Sequence, residues 1–319
     1  MRIGHFEDIA LAESERTGDL GGTGQELTQH TSELKPSQAK EVAQVEEVAQ
    51  ASPESLGKAE KDKITFETGW SEEIVDSISS MEEYAIYKNA GLEEGEINGH
   101  PALVRLDAGK AEDKVELHHI GRNMDGPLAE LTPKEINAKQ ALDIKNALKR
   151  VTELTTLEKG NLCEMMMDLH YISQGYTPVH SPRVTSIDGK GHHGIDGVYE
   201  KDGHYIIVDA KYGTAQLGET LDGKQMSAEW IDKRLDDAVG KEKADQIRDA
   251  YENDPSSVRT EVYHYDPTPD ANGNTYSDVY PVDENGEKAG PSVAVEAHGS
   301  NGEKGELPDF SSSASDLWR

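Results

Sequence analysis

Residues 194–213 read GIDGVYEKDGHYIIVDAKYG. Asp202-Gly203 is a strong two-residue hairpin signal, flanked by the strand candidates IDGVYE and HYIIVDAK. With that pair at the centre of the turn, Lys201 faces His204, Glu200 faces Tyr205 and Asp196 faces Asp209. Directly opposed side chains share one sheet face at roughly 5 Å. Lys211 joins that face, because side chains two apart on a strand point the same way. Two carboxylates and an ammonium therefore converge in a segment that is otherwise apolar. Like charges set opposite one another weaken a sheet, so the pair calls for a cation. Mg2+, with Mn2+ as the alternative, suits one or two carboxylates, and it would polarise a phosphoryl oxygen and acidify a bound water. The plainer alternative is a surface hairpin with a solvated Asp–Lys pair.

Outward from the hairpin, Thr132-Pro133-Lys134-Glu135 reads as a capping box with proline in the first turn. It opens a helical region to about Ser173, with a break expected near Lys159-Gly160 and closure at Gly175. After the hairpin, MSAEWIDKRLDDAV (226–239) puts Ile231, Leu235, Ala238 and Val239 on one helical face, and Gly240 suits its cap. VRTEVYHYD (258–266) alternates like a strand. Upstream, Ser71 and Ser80 start helices, and PALVRLD (101–107) and KVELHH (114–119) read as strands. This order predicts an α/β sandwich around a small mixed sheet, preceded by a small α+β module. The boundaries fall at 1–65 for a flexible polar arm (with a short helix at 38–51), 66–131 for the module, 132–266 for the main domain and 267–319 for an acidic, Gly/Ser-rich tail carrying one strand at TYSDVYPV. Both ends are expected to be disordered.

The 319 residues carry a net charge of −30 and only 6% aromatics, with a mean hydropathy of −0.73. That balance argues against unaided binding to nucleic acid or anionic membrane. The single cysteine, Cys163, excludes an intrachain disulfide and a cysteine-based zinc cluster. It reads as a buried thiol, and Met165 to Met167 read as core. The N-terminal stretch has no positively charged apolar leader, and no run of about 18 apolar residues suggests a membrane anchor.

Asp196 followed by Asp209-Ala210-Lys211 resembles the PD-(D/E)xK nuclease superfamily. GIDGVYE, VDAKYG and KQMSAEWIDKRLDDAVG together resemble its polymorphic nuclease effector toxins, bacterial DNases used against competitors, over about 155–265. The proline usual before the first acid is replaced by Gly194-Ile195. The resemblance implies a restriction-endonuclease-like fold, with Asp196, Asp209 and the Ala210 carbonyl holding the ion and Lys211 serving the attacking water. It also implies an acid from the preceding helix. In NLCEMMMDLHYI that acid is Glu164, set among apolar neighbours, with Asp168 one turn on as the fallback. Gln225, just before the last helix, is a candidate to hold phosphate or water. His192 and His193 in GKGHHG read as solvated or phosphate-facing.

VELHHIGRNMDGPLAELTPKE (115–135) resembles the LHH branch of the HNH nucleases, as does its lead-in MEEYAIYKNAGLEEGEINGHPALVRLD. That family would use His118 and His119 with a further histidine on the next helix, where this chain has Glu135-Ile136. The segment reads as a degenerate module acting as a scaffold or DNA-facing platform; an active centre at His118 and His119, or a coincidental strand-turn-helix, are its alternatives.

The expected function is thus an antibacterial toxin, a Mg2+-dependent endonuclease acting on DNA. An RNase of tRNA type using the same site and a non-catalytic metal- or nucleic-acid-binding module are the rivals. DNA contact would draw on Arg183, Lys190, Lys224, Lys233 and Arg234. A cognate immunity protein is the expected partner. Residues 1–65 are a candidate attachment to a dedicated secretion apparatus, which would carry the chain from the cytoplasm where it is made to that of a target cell.

Overall fold

The computed structural model describes residues 56–105, 115–121 and 126–298. Residues 1–55 of the arm read at 1–65, its helix at 38–51 and the tail beyond 298 lie outside these residues. The described chain is mixed α/β, with seven α-helices and two principal mixed sheets. No helix among the described residues is long and apolar enough to cross a membrane.

The first sheet belongs to the N-terminal module. Helices α1 (Lys58–Thr68), α2 (Glu72–Ser77) and α3 (Met81–Asn89) precede strands β1 (Glu93–Ile97), β2 (His100–Val104), β3 (Glu116–His119) and β4 (Leu128–Leu131), ordered β1-β2-β4-β3. Ser71 and Ser80 stand at the helix starts expected of them. The arm ends sooner than composition suggested, because α1 buries Ile64 against Trp70, Ile74 and Tyr87. Strands β1 and β4 are not evident from pattern: β1 is EEGEI, too acidic to read as a strand.

Helix α4 (Pro133–Leu148) starts at the expected capping box, with Thr132 N–H donating to Glu135 Oε2 at 2.8 Å. It joins the two halves, burying Ile136 in the N-terminal core and Ile144 in the main one. The break before α5 (Thr156–Ser173) lies earlier than expected, and Gly160 sits inside the helix. Thr155 is the reason: its hydroxyl accepts from Glu158 N–H at 3.2 Å while Glu158 Oε2 accepts from Thr155 N–H at 2.8 Å, a second capping box. Gly175, at φ +82°, follows the helix end as expected.

The main sheet has six strands, ordered β12-β11-β10-β7-β6-β5. They are β5 (Thr177–Pro178), β6 (Gly197–Lys201), β7 (His204–Tyr212), β10 (Val258–Asp266), β11 (Thr275–Pro281) and β12 (Val293–His298); β8 (Glu219–Thr220) and β9 (Gly223–Lys224) form a separate ribbon. The hairpin register is the expected one, pairing Lys201 with His204 and Glu200 with Tyr205. Asp202 at φ +54° and Gly203 at φ +77° make the turn, and positive φ at both positions matches the twist of the flanking strands. β10 runs parallel to β7. The crossover between them carries α6 (Ala228–Val239) and α7 (Lys241–Asn253).

Alternation along β7 divides the core. Ile206 and Val208 pack with α4 and α5, whereas Tyr205 and Ile207 pack with Trp230, Ile231 and Leu235 of α6 and with Ala244 and Ile247 of α7. Each of these large side chains contributes roughly 1.5–3 kcal/mol by leaving water. The boundary drawn at residue 266 does not hold: β11 and β12 pair on from β10 and complete the sheet. β11 is the strand expected at TYSDVYPV, whereas β12, a short strand at the sheet edge, is hidden in a segment whose composition reads as tail.

Candidate metal centre

Asp196 sits one residue before β6 begins, so it occupies the mouth of the hairpin rather than a strand interior. The last ladder pair is Gly197 with Val208, which leaves Asp196 opposite Asp209 as the register requires. Ala210 N–H donates to Asp196 Oδ2 at 2.8 Å and fixes that carboxylate across the strand end. Gly197 admits the helix that carries the third acid, since a Cβ there would come within 2.8 Å of Met167 Cε and 2.7 Å of the Tyr199 ring.

Asp209 is 1% exposed. Lys211 Nζ lies 2.5 Å from its Oδ2, yet the approach falls outside hydrogen-bond geometry and Oδ2 has no hydrogen-bond partner. We take the contact as an ion pair whose acceptor lone pairs remain directed elsewhere. Glu164 and His192 complete the group: His192 Nε2 is 3.1 Å from Glu164 Oε2, and ligand atoms of Glu164, His192 and Asp196 all lie within 4.8 Å of one another. It is the one set of three or more such groups among the described residues.

The electrostatics follow from three carboxylates around one ammonium. Burial pushes the Asp196 carboxyl well above its usual range, and Asp209 and Glu164 push it further. Asp209 is likewise raised by burial, against the opposing pull of Lys211. Burial works against the Lys211 charge, but Asp209 and Asp196 outweigh it and hold the ammonium above its ordinary value. The bond to Glu164 raises His192 despite partial burial. A cleft of about 260 Å³ beside the group is lined by His180, His192, His193, Ile195, Lys233 and Arg234, among others.

No family model, curated protein or solved structure matches this chain. The site is therefore judged on its donors. Asp196, Asp209 and Glu164 supply hard oxygen ligands, and the one lysine or arginine paired with them among the described residues is Lys211, at Asp209 Oδ2. The donor set fits a divalent ion.

Other candidates lie elsewhere. Asp168, the fallback acid, is absorbed by structure: Arg183 Nε donates to its Oδ2 at 2.8 Å and the Tyr199 hydroxyl to its Oδ1 at 2.7 Å. Gln225 Oε1 accepts from Gly218 N–H at 2.9 Å within the small ribbon, and none of its hydrogen bonds reaches the acids. Cys163 is buried, with Sγ 3.3 Å from the Lys211 carbonyl, and burial raises its pKa.

The expected basic patch does not form as free charge. Arg183 is paired with Asp168, Lys224 with Glu287, Lys233 with Glu229 and Asp222, and Arg234 with Asp222. Of the five, Lys190 alone has no ion pair among the described residues. The partners come from nearby helices and loops, through Asp168, Asp222, Glu229 and Glu287.

His192 was the functional candidate that sequence reasoning undervalued. Its loop, GKGHHG, lies just upstream of Asp196 in the chain, but nothing in that spacing measures its distance from Glu164.

His118 and His119 lie on β3, opposite Ala129 and Leu128. They line a neighbouring cleft of about 650 Å³ against residues 177–186, which shares His180, Ser181 and Pro182 with the smaller one. No third ligand joins them among the described residues. Ile136, where the LHH resemblance calls for a histidine, is 1% exposed in the N-terminal core.

Proposed function

We propose that the six-stranded sheet with its flanking helices is a restriction-endonuclease-like core that hydrolyses DNA phosphodiesters with bound Mg2+. The observation that carries the proposal is the grouping of Glu164, His192 and Asp196 within reach of one ion, beside the buried Asp209–Lys211 ion pair. Asp196 and Asp209 would hold the ion, Glu164 would support it, and the Ala210 carbonyl is the remaining protein ligand suggested by the resemblance. The ion supplies charge neutralisation at the phosphoryl oxygens and a more acidic bound water. Lys211 keeps its proton, so its part is to orient the attacking water and to balance negative charge rather than to act as a base. With four of the five candidate cations and Lys211 already paired, attraction to the phosphate would rest on the bound ion. The toxin role, the cognate immunity protein covering the site and export by a secretion system rest on the sequence resemblance and belong to the same proposal.

The test is incubation of the full chain with plasmid and with total RNA, each with Mg2+ or with chelator. Loss of plasmid that chelator prevents is the expected result. Selective loss of RNA would move the reading to an RNase. Thermal stabilisation by Mg2+ without cleavage of either would leave a binding module.

A further inference from the structure

We infer that His192 is a nitrogen ligand of this centre and biases it toward a first-row divalent ion, Mn2+, over Mg2+. The inference rests on the metal-dependent reading above and deepens it.

Three observations meet here. His192 Nε2 lies 3.1 Å from Glu164 Oε2, and both approach Asp196 closely enough for one ion to touch all three residues. Their side chains are only 15–16% exposed, so the imidazole is held in the group rather than swung into solvent. Independently, the buried Asp209 carboxylate next to them keeps an oxygen with no hydrogen-bond partner.

The imidazole has two roles open to it. As a clip for Glu164 it needs only an N–H donor. As a ligand it needs the lone pair of a ring nitrogen. The surroundings favour the second, because the ring nitrogen that faces Glu164 at 3.1 Å also stands where one ion can touch Glu164, Asp196 and His192 together. The consequence is selectivity. Mg2+ prefers oxygen ligands and retains its waters, whereas a mixed nitrogen and oxygen set gains affinity along the first transition row.

The deciding experiment uses the full chain with Mn2+ as probe. Mn2+ and Mg2+ affinities are measured by calorimetry, and the Mn2+-loaded protein is examined by electron spin echo spectroscopy for modulation from a coordinated imidazole nitrogen. The wild type should bind Mn2+ more tightly than Mg2+ and show the nitrogen signal. His192→Gln preserves an N–H donor for Glu164 and removes the ring nitrogen. It should lose the signal and weaken Mn2+ binding by at least about tenfold, the least that loss of even an outer partner of a metal ligand commonly costs, while Mg2+ affinity stays unchanged. His193→Gln should change neither. Should the wild type bind Mn2+ with no nitrogen signal, or His192→Gln bind it as the wild type does, the role of His192 is overturned and the metal centre stands. Should neither ion bind the folded wild type, the metal centre itself falls. The wild-type spectrum decides the matter even where the variant fails to fold.

Discussion

Two places in this molecule gather histidines and carboxylates beside a sheet, and they differ in what occupies their middle. At the mouth of the β6–β7 hairpin, Asp196, Asp209 and Glu164 surround a single ammonium, and one buried carboxylate oxygen is left without a hydrogen bond. Beside β3, the buried charges are already paired, although His119 Nδ1 has no hydrogen-bond partner. Glu83 accepts from Ser79, Tyr87 and Gly121, and Lys139 lies 3.6 Å from it while also pairing with Asp143 at 3.2 Å. The lysine brings its own positive charge, so this network needs no added ion. A motif written in histidines is thus less informative than the charge balance of the groups around it: an unmet negative excess points to a missing cation, and a closed ion pair points to architecture.

The largest expected effect breaks the two regions apart functionally. Asp209→Ala or Lys211→Ala should reduce plasmid cleavage on the order of a thousandfold, by loss of a metal ligand or of charge stabilisation at the phosphate. The His118→Ala/His119→Ala double variant should cleave at the wild-type rate. Initial rates on supercoiled plasmid, with circular dichroism to verify folding, provide the comparison. Full activity in the Asp209 variant, or its loss in a folded double-histidine variant, would exchange the roles of the two regions.

Next in size is the cost of opening the closed network. Lys139→Met keeps the volume of the stem but leaves Glu83 as a charge that is 1% exposed. Removing one partner of a buried pair commonly costs about 3–5 kcal/mol, which for a domain of this size lowers Tm on the order of 10 °C. Cleavage by the folded fraction at low temperature should persist. A thermal melt indistinguishable from wild type would show that the Lys139 ammonium is not what balances Glu83.

The two regions were also unequally legible in the sequence. The hairpin register follows from two residues, Asp202 and Gly203, because a turn with positive φ at both positions fixes every pair behind it. From there the convergence of Asp196, Asp209 and Lys211 is arithmetic. Helix starts at Ser71, Ser80 and Thr132 were equally readable, since capping is a local property. What escaped depends on distance in space. His192 meets Glu164 across 28 residues of chain, and Asp168 is claimed by Arg183 and Tyr199 from two other segments. Pairing of Lys224 by Glu287 and of Arg234 by Asp222 is tertiary in the same sense, whereas Lys233 and Glu229 are an i,i+4 pair within α6. β12 and α7 were missed for another reason: β12 is a six-residue edge strand set in a Gly- and Pro-rich stretch, and α7 is so polar that its buried stripe amounts to Ala244 and Ile247.

The smallest effect sharpens the comparison through pH. His118 is pulled down to about 4, chiefly by burial, with Glu116 opposing and Lys139, Arg183 and His119 adding to the fall. Its unfolded value is about 6.5. Between these values the unfolded chain takes up a proton that the native state refuses, so native stability is full above pH 6.5 and declines as pH falls toward 4. The shift corresponds to a loss on the order of 3 kcal/mol at the acid end. His118→Gln cannot titrate, so its Tm should fall less than that of the wild type between pH 7 and 4.5, with the other groups cancelling in the difference. His192 carries the opposite sign. Its pKa is raised by Glu164, so in chelator its contribution is full below pH 6.5 and is lost as pH rises through the folded value. Subtracting each variant's Tm profile from the wild type should therefore give slopes of opposite sign. Parallel slopes would mean that the two histidines sense the same surroundings, which a charge-paired interior around one and an acid-rich centre around the other do not allow.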